Sequence, residues 1–433
     1  MNIYLIGAGC GSMGTQTLEA TEKLEACDLI IGARRLVEGL PERYEGKCIS
    51  AHKPDIIAQI LRNAEKTGAD GEVRIGDGGE TWSDDDGEAW SDDGAKEKCV
   101  VLLLSGDSGF YSGTARLLRM IDELRAEYPD RKYETEILPG ISSLQYFAAK
   151  IGRPWQDFRL VSAHGHDCDA VYEVMQGKDV FFLTGGKYTP AQIAEDLCRA
   201  ELGSLSMIVG ENLSYGDAEK ISRGKAEEFA GRTFAQMSVV LCEAAPCYEG
   251  PRYGISDDAF IRGSVPMTKM EVRAVLLAKM GTRPGDIVWD VGAGTGSVSV
   301  ELSRTARRVH AIECLPEACE LIRKNREKFC AWNIEVVSGM APDALEHLPA
   351  PDRIFIGGSR GNLEEIIRAA VMKNPDVRIC LTAVTLETLT EAGRVLSSLG
   401  READISLISV SRAEAVGSVH MMKAMNPVYV ICG

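Results

Sequence analysis

Asp286-Ile287-Val288-Trp289-Asp290-Val291-Gly292-Ala293-Gly294-Thr295-Gly296-Ser297-Val298-Ser299-Val300-Glu301-Leu302 decides the fold. An apolar run of strand length breaks into glycines at alternate positions and resumes with helical spacing, so the stretch reads as strand, tight turn and helix N-terminus. Such a turn lets a ribose or phosphate approach the backbone without Cβ atoms in the way. Twenty-one positions beyond Gly292, at the end of the apolar run Val309-His310-Ala311-Ile312, stands Glu313. A doubly wound sheet places an acid there to accept hydrogen bonds from ribose hydroxyls. The glycines alone would also suit a dinucleotide. Asp290, just ahead of them, favours the sulfonium and ammonium groups of S-adenosylmethionine (SAM) over a pyrophosphate.

The chain has 433 residues, enough for two or three domains. Its formal net charge of −16 argues against nucleic acid or an anionic membrane as partner. Half of that charge is local: residues 63–98 hold 12 acidic side chains against 4 basic ones. An acidic insertion of about 66–97, with Trp82-Ser83-Asp84-Asp85 echoed at Trp90-Ser91-Asp92-Asp93, is expected to be a solvated, disordered loop. Thirteen cysteines without a C-x-x-C pair point to reduced thiols and a cytoplasmic protein. Met1-Asn2-Ile3-Tyr4-Leu5-Ile6 starts a strand directly, which predicts no signal segment, and no apolar run is long enough to cross a bilayer.

A second strand-and-glycine unit opens the chain at Ile3-Tyr4-Leu5-Ile6-Gly7-Ala8-Gly9-Cys10-Gly11 and feeds a helix expected from about Met13 to Glu25. Val100 to Leu104 forms a buried strand ending at Ser105-Gly106-Asp107-Ser108-Gly109, and Pro139-Gly140-Ile141-Ser142-Ser143 turns into a helix that the two serines can cap. Short strands alternating with helices then predict a second α/β lobe and a cleft between the lobes. Glu243 to Tyr253, with two prolines and a glycine, breaks periodicity and reads as a linker. The expected division is 1–245 and 253–433, the latter a seven-stranded sheet closed by a hairpin.

The opening glycine turn, Leu104-Ser105-Gly106-Asp107-Ser108-Gly109-Phe110-Tyr111, Pro139-Gly140-Ile141-Ser142-Ser143-Leu144, Val161-Ser162-Ala163-His164-Gly165-His166, Leu183-Thr184-Gly185-Gly186 and Gly210-Glu211-Asn212-Leu213 resemble, in that order, the tetrapyrrole methylase family, in its branch that methylates ring position 5 of late precorrins. Cys10 departs from the proline usual there. Val265-Pro266-Met267-Thr268-Lys269, the Gly292 turn, Ile354-Phe355-Ile356-Gly357-Gly358-Ser359, Thr382 to Leu389 and Asn426-Pro427-Val428 resemble the decarboxylating precorrin methyltransferases that act at ring position 15. Fused in this order, the halves are similar to bifunctional C5,C15-methyltransferases of cobalamin synthesis.

The resemblance implies a two-lobed tetrapyrrole methylase fold followed by a Rossmann-like methyltransferase fold, and a SAM site in each half. It implies donor contacts at Gly9, Gly106, Asp107, Ser108, Ser142 and Ser143, and at Thr268, Gly292, Ala293, Gly294, Thr295, Gly296, Glu313 and Ala341. Met340 departs from a common aspartate and Arg360 from a common glycine. A polycarboxylate macrocycle calls for cations, and Arg34, Arg35, Arg360 and Arg412 are the candidates. His164 is expected to line the cleft; with His166 it could instead ligate a metal, although alternate strand positions point to opposite faces. His420 is the candidate proton donor for decarboxylation, with a packed strand histidine as the alternative. A homo-oligomer is expected. Two other classes compete: an NAD-dependent oxidoreductase, and a corrinoid-binding module without catalysis.

Overall fold

The computed structural model describes residues 1–64, 98–163 and 168–433. The acidic insertion of about 66–97, His164 and His166 therefore lie outside the described residues.

The first sheet is built from β1 (Asn2–Gly7), β2 (Leu29–Gly32), β3 (Cys48–Ser50), β4 (Cys99–Leu104) and β5 (Glu134–Leu138), in the order β3-β2-β4-β1-β5. Every pairing is parallel. Strands of a parallel sheet are covered on both faces, which is why β1 and β4 read as unbroken apolar runs. Ile3, Leu5 and Leu102 face one core, and Ile6, Val101 and Leu103 the other. Helix formation begins later than the sequence predicts: Met13–Thr15 is a short 3₁₀ turn, and the α-helix is Leu18–Ala26. Thr17 caps it by accepting from the Ala20 amide, while Thr15 Oγ1 accepts from Cys10 N at 3.0 Å and donates to Ser12 O at 2.7 Å. Thr15 thus fixes the glycine turn, and the helix waits for the cap at Thr17.

The second lobe contains β6 (Arg159–Ser162), β7 (Val180–Leu183), β8 (Ser206–Glu211), β9 (Lys220–Lys225) and β10 (Ser238–Cys242), ordered β6-β7-β10-β8-β9 and mostly antiparallel. The helix Ser143–Ile151 joins the lobes, and Ser142 and Gln145 close a capping box at its start.

Residues 243–256 carry no helix or strand. Beyond them lie β11 (Ile287–Val291), β12 (Arg308–Glu313), β13 (Ile334–Ser338), β14 (Arg353–Ile356), β15 (Arg378–Ala383), β16 (Asp404–Ile408), β17 (Ser411–Val416), β18 (Val419–Ala424) and β19 (Val428–Cys432). Seven of them form a sheet in the order β13-β12-β11-β14-β15-β19-β16, with β19 antiparallel to its neighbours. Its closing strands are not joined by a simple hairpin: β17 and β18 pair with each other as a separate two-stranded arm. Cys380 and Cys432, opposite one another on β15 and β19, form a disulfide, where cysteine spacing predicted free thiols. Asp169 of the second lobe receives Arg308 at 2.7 Å, and Trp332 Nε1 donates to Pro246 O, so contacts from both sides of the linker tie the halves together.

Candidate active sites

Both glycine turns stand at the carboxyl ends of parallel strands, where chain direction reverses to either side and a crevice opens. In the C-terminal half, β12 leaves β11 on one side and β14 flanks it on the other. Gly292 lies at the crossing. Its φ is +71°, and a Cβ there would meet Gly358 O at 2.6 Å. Only glycine satisfies both the left-handed backbone and the neighbouring loop.

The resulting cavity, about 440 Å³, is lined by Thr268, Gly292, Ala293, Gly294, Thr295, Glu313, Ala341 and Arg360 of the predicted residues. Gly296 instead caps the helix Ser297–Leu302 against Ile322. Glu313 ends β12 with its carboxylate held by Gly294 N at 3.0 Å, Cys314 N at 2.8 Å and Leu315 N at 3.0 Å. A carboxylate has about four lone-pair sites, so an acceptor direction remains for a hydroxyl. Thr295 Oγ1 is buried at the same wall without a partner among the described residues, a second polar atom suited to a donor molecule.

Asp290 behaves differently from its sequence reading. It is fully buried beneath the turn and does not line the cavity; Ser299 Oγ donates to it. Burial, against that hydrogen bond, pushes its carboxyl from an ordinary 3.8 up to about 7, with nearby Glu313 adding to the rise. The anion facing the cavity is therefore Glu313. Because the folded value of Asp290 lies above the unfolded one, its ionisation opposes folding, and its contribution to stability falls as pH rises from about 4 to about 7. Urea unfolding across that window should show the native chain losing ground to Asp290→Asn by roughly 1 kcal/mol per pH unit. A difference independent of pH would contradict this assignment.

Lys269, Thr382 and Asn426 also line the cavity. Lys269 was not singled out by sequence reasoning, although it stands in the quoted Val265-to-Lys269 run and the cations demanded by a polycarboxylate were the available signal. Neither Lys269 nor Arg360 has an ion-pair partner among the described residues. Arg412 does not reach the cavity. Its guanidinium donates to Glu271 Oε1 at 3.0 Å and Asp257 Oδ2 at 2.9 Å. Asp257 joins it to Arg273, wholly buried, which donates to Glu301 at 3.0 Å, Asp257 at 2.9 Å and the Thr268 carbonyl at 2.6 Å. Burial raises the Asp257 carboxyl, but the bonds from Arg273 and Arg412 outweigh it and hold the group below its usual range. His420 is exposed on β18, away from the cavity lining, so the fold does not place it at this site.

The N-terminal cavity, also about 440 Å³, lies between the lobes and is lined by Gly106, Asp107, Ser142, Ser143 and Arg35 of the predicted residues. Gly9 and Ser108 stand behind its wall. Gly9, at φ +72°, pairs backbone to backbone with Gly106, and a Cβ on it would strike Thr15. Ser108 is buried, its carbonyl taken by Ser112 and Thr114. Asp107 braces two loops, accepting from Gly109 N at 2.8 Å and Gly140 N at 3.2 Å. Arg35 Nη2 donates to Ser105 Oγ at 2.9 Å and has no carboxylate partner among the described residues. Arg34 instead pairs with Glu38 on its own helix at 2.6 Å. Cys10 faces the cavity as a neutral thiol, pushed up to about 12 by burial and then by Glu219. Tyr111, Tyr215 and Gln236 line this cavity without having been singled out as site residues.

A family model for tetrapyrrole (corrin/porphyrin) methylases matches residues 2–230, and one for the precorrin methyltransferase domain matches residues 258–432. Precorrin-6Y C(5,15)-methyltransferase (decarboxylating) of a Sinorhizobium species is 32% identical over 342 residues, covering 76% of this chain and 78% of that protein. The chain belongs to the decarboxylating precorrin C5,15-methyltransferase family. Its C-terminal half is similar to a probable cobalt-precorrin-6B C(15)-methyltransferase (decarboxylating) of Pyrobaculum calidifontis, 43% identical over 183 residues, 41% of this chain and 94% of that protein. A crystal structure of precorrin-6y C5,15-methyltransferase from Geobacter metallireducens GS-15 is 41% identical, covers 42% of this chain and 98% of its own, and superposes with a TM-score of 0.41. As a member of this family the chain is a SAM-dependent C-methyltransferase of cobalamin biosynthesis; the oxidoreductase and carrier readings are not favoured. Among the described residues, no helix is long and apolar enough to cross a membrane.

Proposed function

We propose that each half binds its own SAM and that both act on one late precorrin or cobalt-precorrin, the N-terminal half methylating ring position 5 and the C-terminal half ring position 15 with loss of the ring C acetate carboxyl. The observation that carries this reading is the pair of separate cavities, each framed by a glycine turn at the carboxyl end of a parallel sheet. When bound, SAM supplies an electrophilic methyl group. The macrocycle supplies the nucleophilic carbon and, for decarboxylation, the electron sink. What the chain does is hold reacting atoms in line at about 3 to 3.5 Å and exclude water. Glu313 and Thr295 orient the donor, while Lys269 and Arg360 grip substrate carboxylates in the C-terminal cavity and Arg35 does so in the N-terminal one. Mass spectrometry of a late precorrin incubated with the chain and SAM tests the proposal: two added methyls with loss of one carbon dioxide support it, and an unmodified precorrin refutes it.

Arg360→Ala should raise KM for the tetrapyrrole about tenfold, the worth of one charge-assisted hydrogen bond, and leave SAM affinity unchanged. An unchanged KM would remove Arg360 from the substrate site. We also assign self-association to the arm of β17 and β18, where Val416, Val419, Met421 and Met422 are all more than half exposed. A two-stranded ribbon has little stability without a covering surface, and a second copy of the arm would supply one. Sedimentation of Met421→Glu/Met422→Glu should show monomers where the native chain shows a larger species.

A further inference from the structure

Tyr111 lines the N-terminal cavity with its backbone in the left-handed region, φ 47°. That conformation is strained for a bulky side chain and free of strain for glycine, and residues held in it cluster at ligand sites. The ring nonetheless has a fixed seat. It meets Phe110 edge to face at a centroid distance of 4.9 Å, and Phe110 packs in turn on Phe181 of the second lobe. The Tyr111 hydroxyl donates to Leu160 O on β6 at 3.3 Å, bridging the lobes. So anchored, the side chain is still 54% exposed. Gly185 and Gly186 line the same cavity and, having no side chains, leave room for a broad flat ligand.

We propose that Tyr111 is a substrate-positioning residue of the N-terminal half, its ring a stacking platform for the conjugated face of the tetrapyrrole. The proposal rests on the reading that this cavity takes the macrocycle for methylation at position 5. An aromatic face recognises a conjugated plane by offset stacking and is indifferent to where the carboxylates lie. Arg35 then reads charge while Tyr111 reads flatness.

The test compares Tyr111→Phe and Tyr111→Gly in the full-length chain, measuring thermal unfolding, SAM affinity, and KM and kcat separately for methylation at positions 5 and 15. Tyr111→Gly should unfold within a few degrees of the native chain, since relieved backbone strain offsets the lost contacts with Phe110 and Leu160, and should keep SAM affinity and position 15 methylation. Its KM for position 5 methylation should rise about five- to tenfold with kcat little changed. Tyr111→Phe should keep the native KM. An unchanged KM in Tyr111→Gly overturns the proposal. So does an equal rise in Tyr111→Phe, which would assign the effect to the hydroxyl bridge. A native chain that methylates position 15 and never position 5 overturns the underlying reading and this proposal with it.

Discussion

Gly292→Ala should abolish donor binding in the C-terminal half and leave methylation at ring position 5 intact. The added Cβ has nowhere to go, since Gly358 O stands 2.6 Å and Gly358 N 2.8 Å from it, both backbone atoms of the loop after β14. Separating the loops spoils the cavity wall, because Gly292, Gly357 and Gly358 all line it. Left-handed φ in an alanine costs about 1 to 2 kcal/mol, and overpacking adds about 1 to 3 kcal/mol. Urea unfolding should therefore show a loss of about 2 to 5 kcal/mol from the C-terminal half, and SAM titration should show one binding event fewer. Retention of native affinity at both sites would mean that the turn after β11 does not shape a donor site.

Arg273→Met should destabilise the C-terminal half by about 3 to 5 kcal/mol, the expected cost of stranding buried carboxylates. Methionine keeps much of the volume and removes the charge, leaving buried Glu301 without its cation and buried Asp257 with Arg412 alone. Without the bond from Arg273 the folded pKa of Asp257 would rise, so the deficit should be largest at neutral pH and shrink as the solution is acidified and that carboxylate takes up a proton. The Thr268 carbonyl would also lose its 2.6 Å bond to Arg273, so weaker SAM affinity should accompany lower stability. Adding Asp257→Asn and Glu301→Gln should recover most of the stability. A deficit that persists unchanged at low pH would contradict the charge-stranding explanation.

Both glycine turns and Glu313 were legible because their signals are local: a strand, its turn and the next strand's last residue follow at fixed spacing. The positions of Arg34 and Arg412 were not. Arg412 is bound to acids 141 and 155 residues away, and nothing near it in sequence distinguishes a network arginine from a substrate arginine. The arm of β17 and β18 escaped notice because solvent reaches almost every side chain on it, so no buried face imposes a period-2 pattern. Asp290 shows a further limit: its place before the turn was readable, whereas the direction in which the strand aims it was not. The Cys380–Cys432 disulfide depends on strand register between residues 52 apart. Lys269 and Tyr111 stood within quoted motifs, yet their roles emerge only from the cavities they line and from the backbone angle of Tyr111.

The central claim is that each half carries a donor site of its own. Calorimetric titration of the full-length chain with S-adenosylhomocysteine tests it most directly. Two equivalents bound by the native chain and one by Gly292→Ala are predicted; a single equivalent in the native chain would contradict the account.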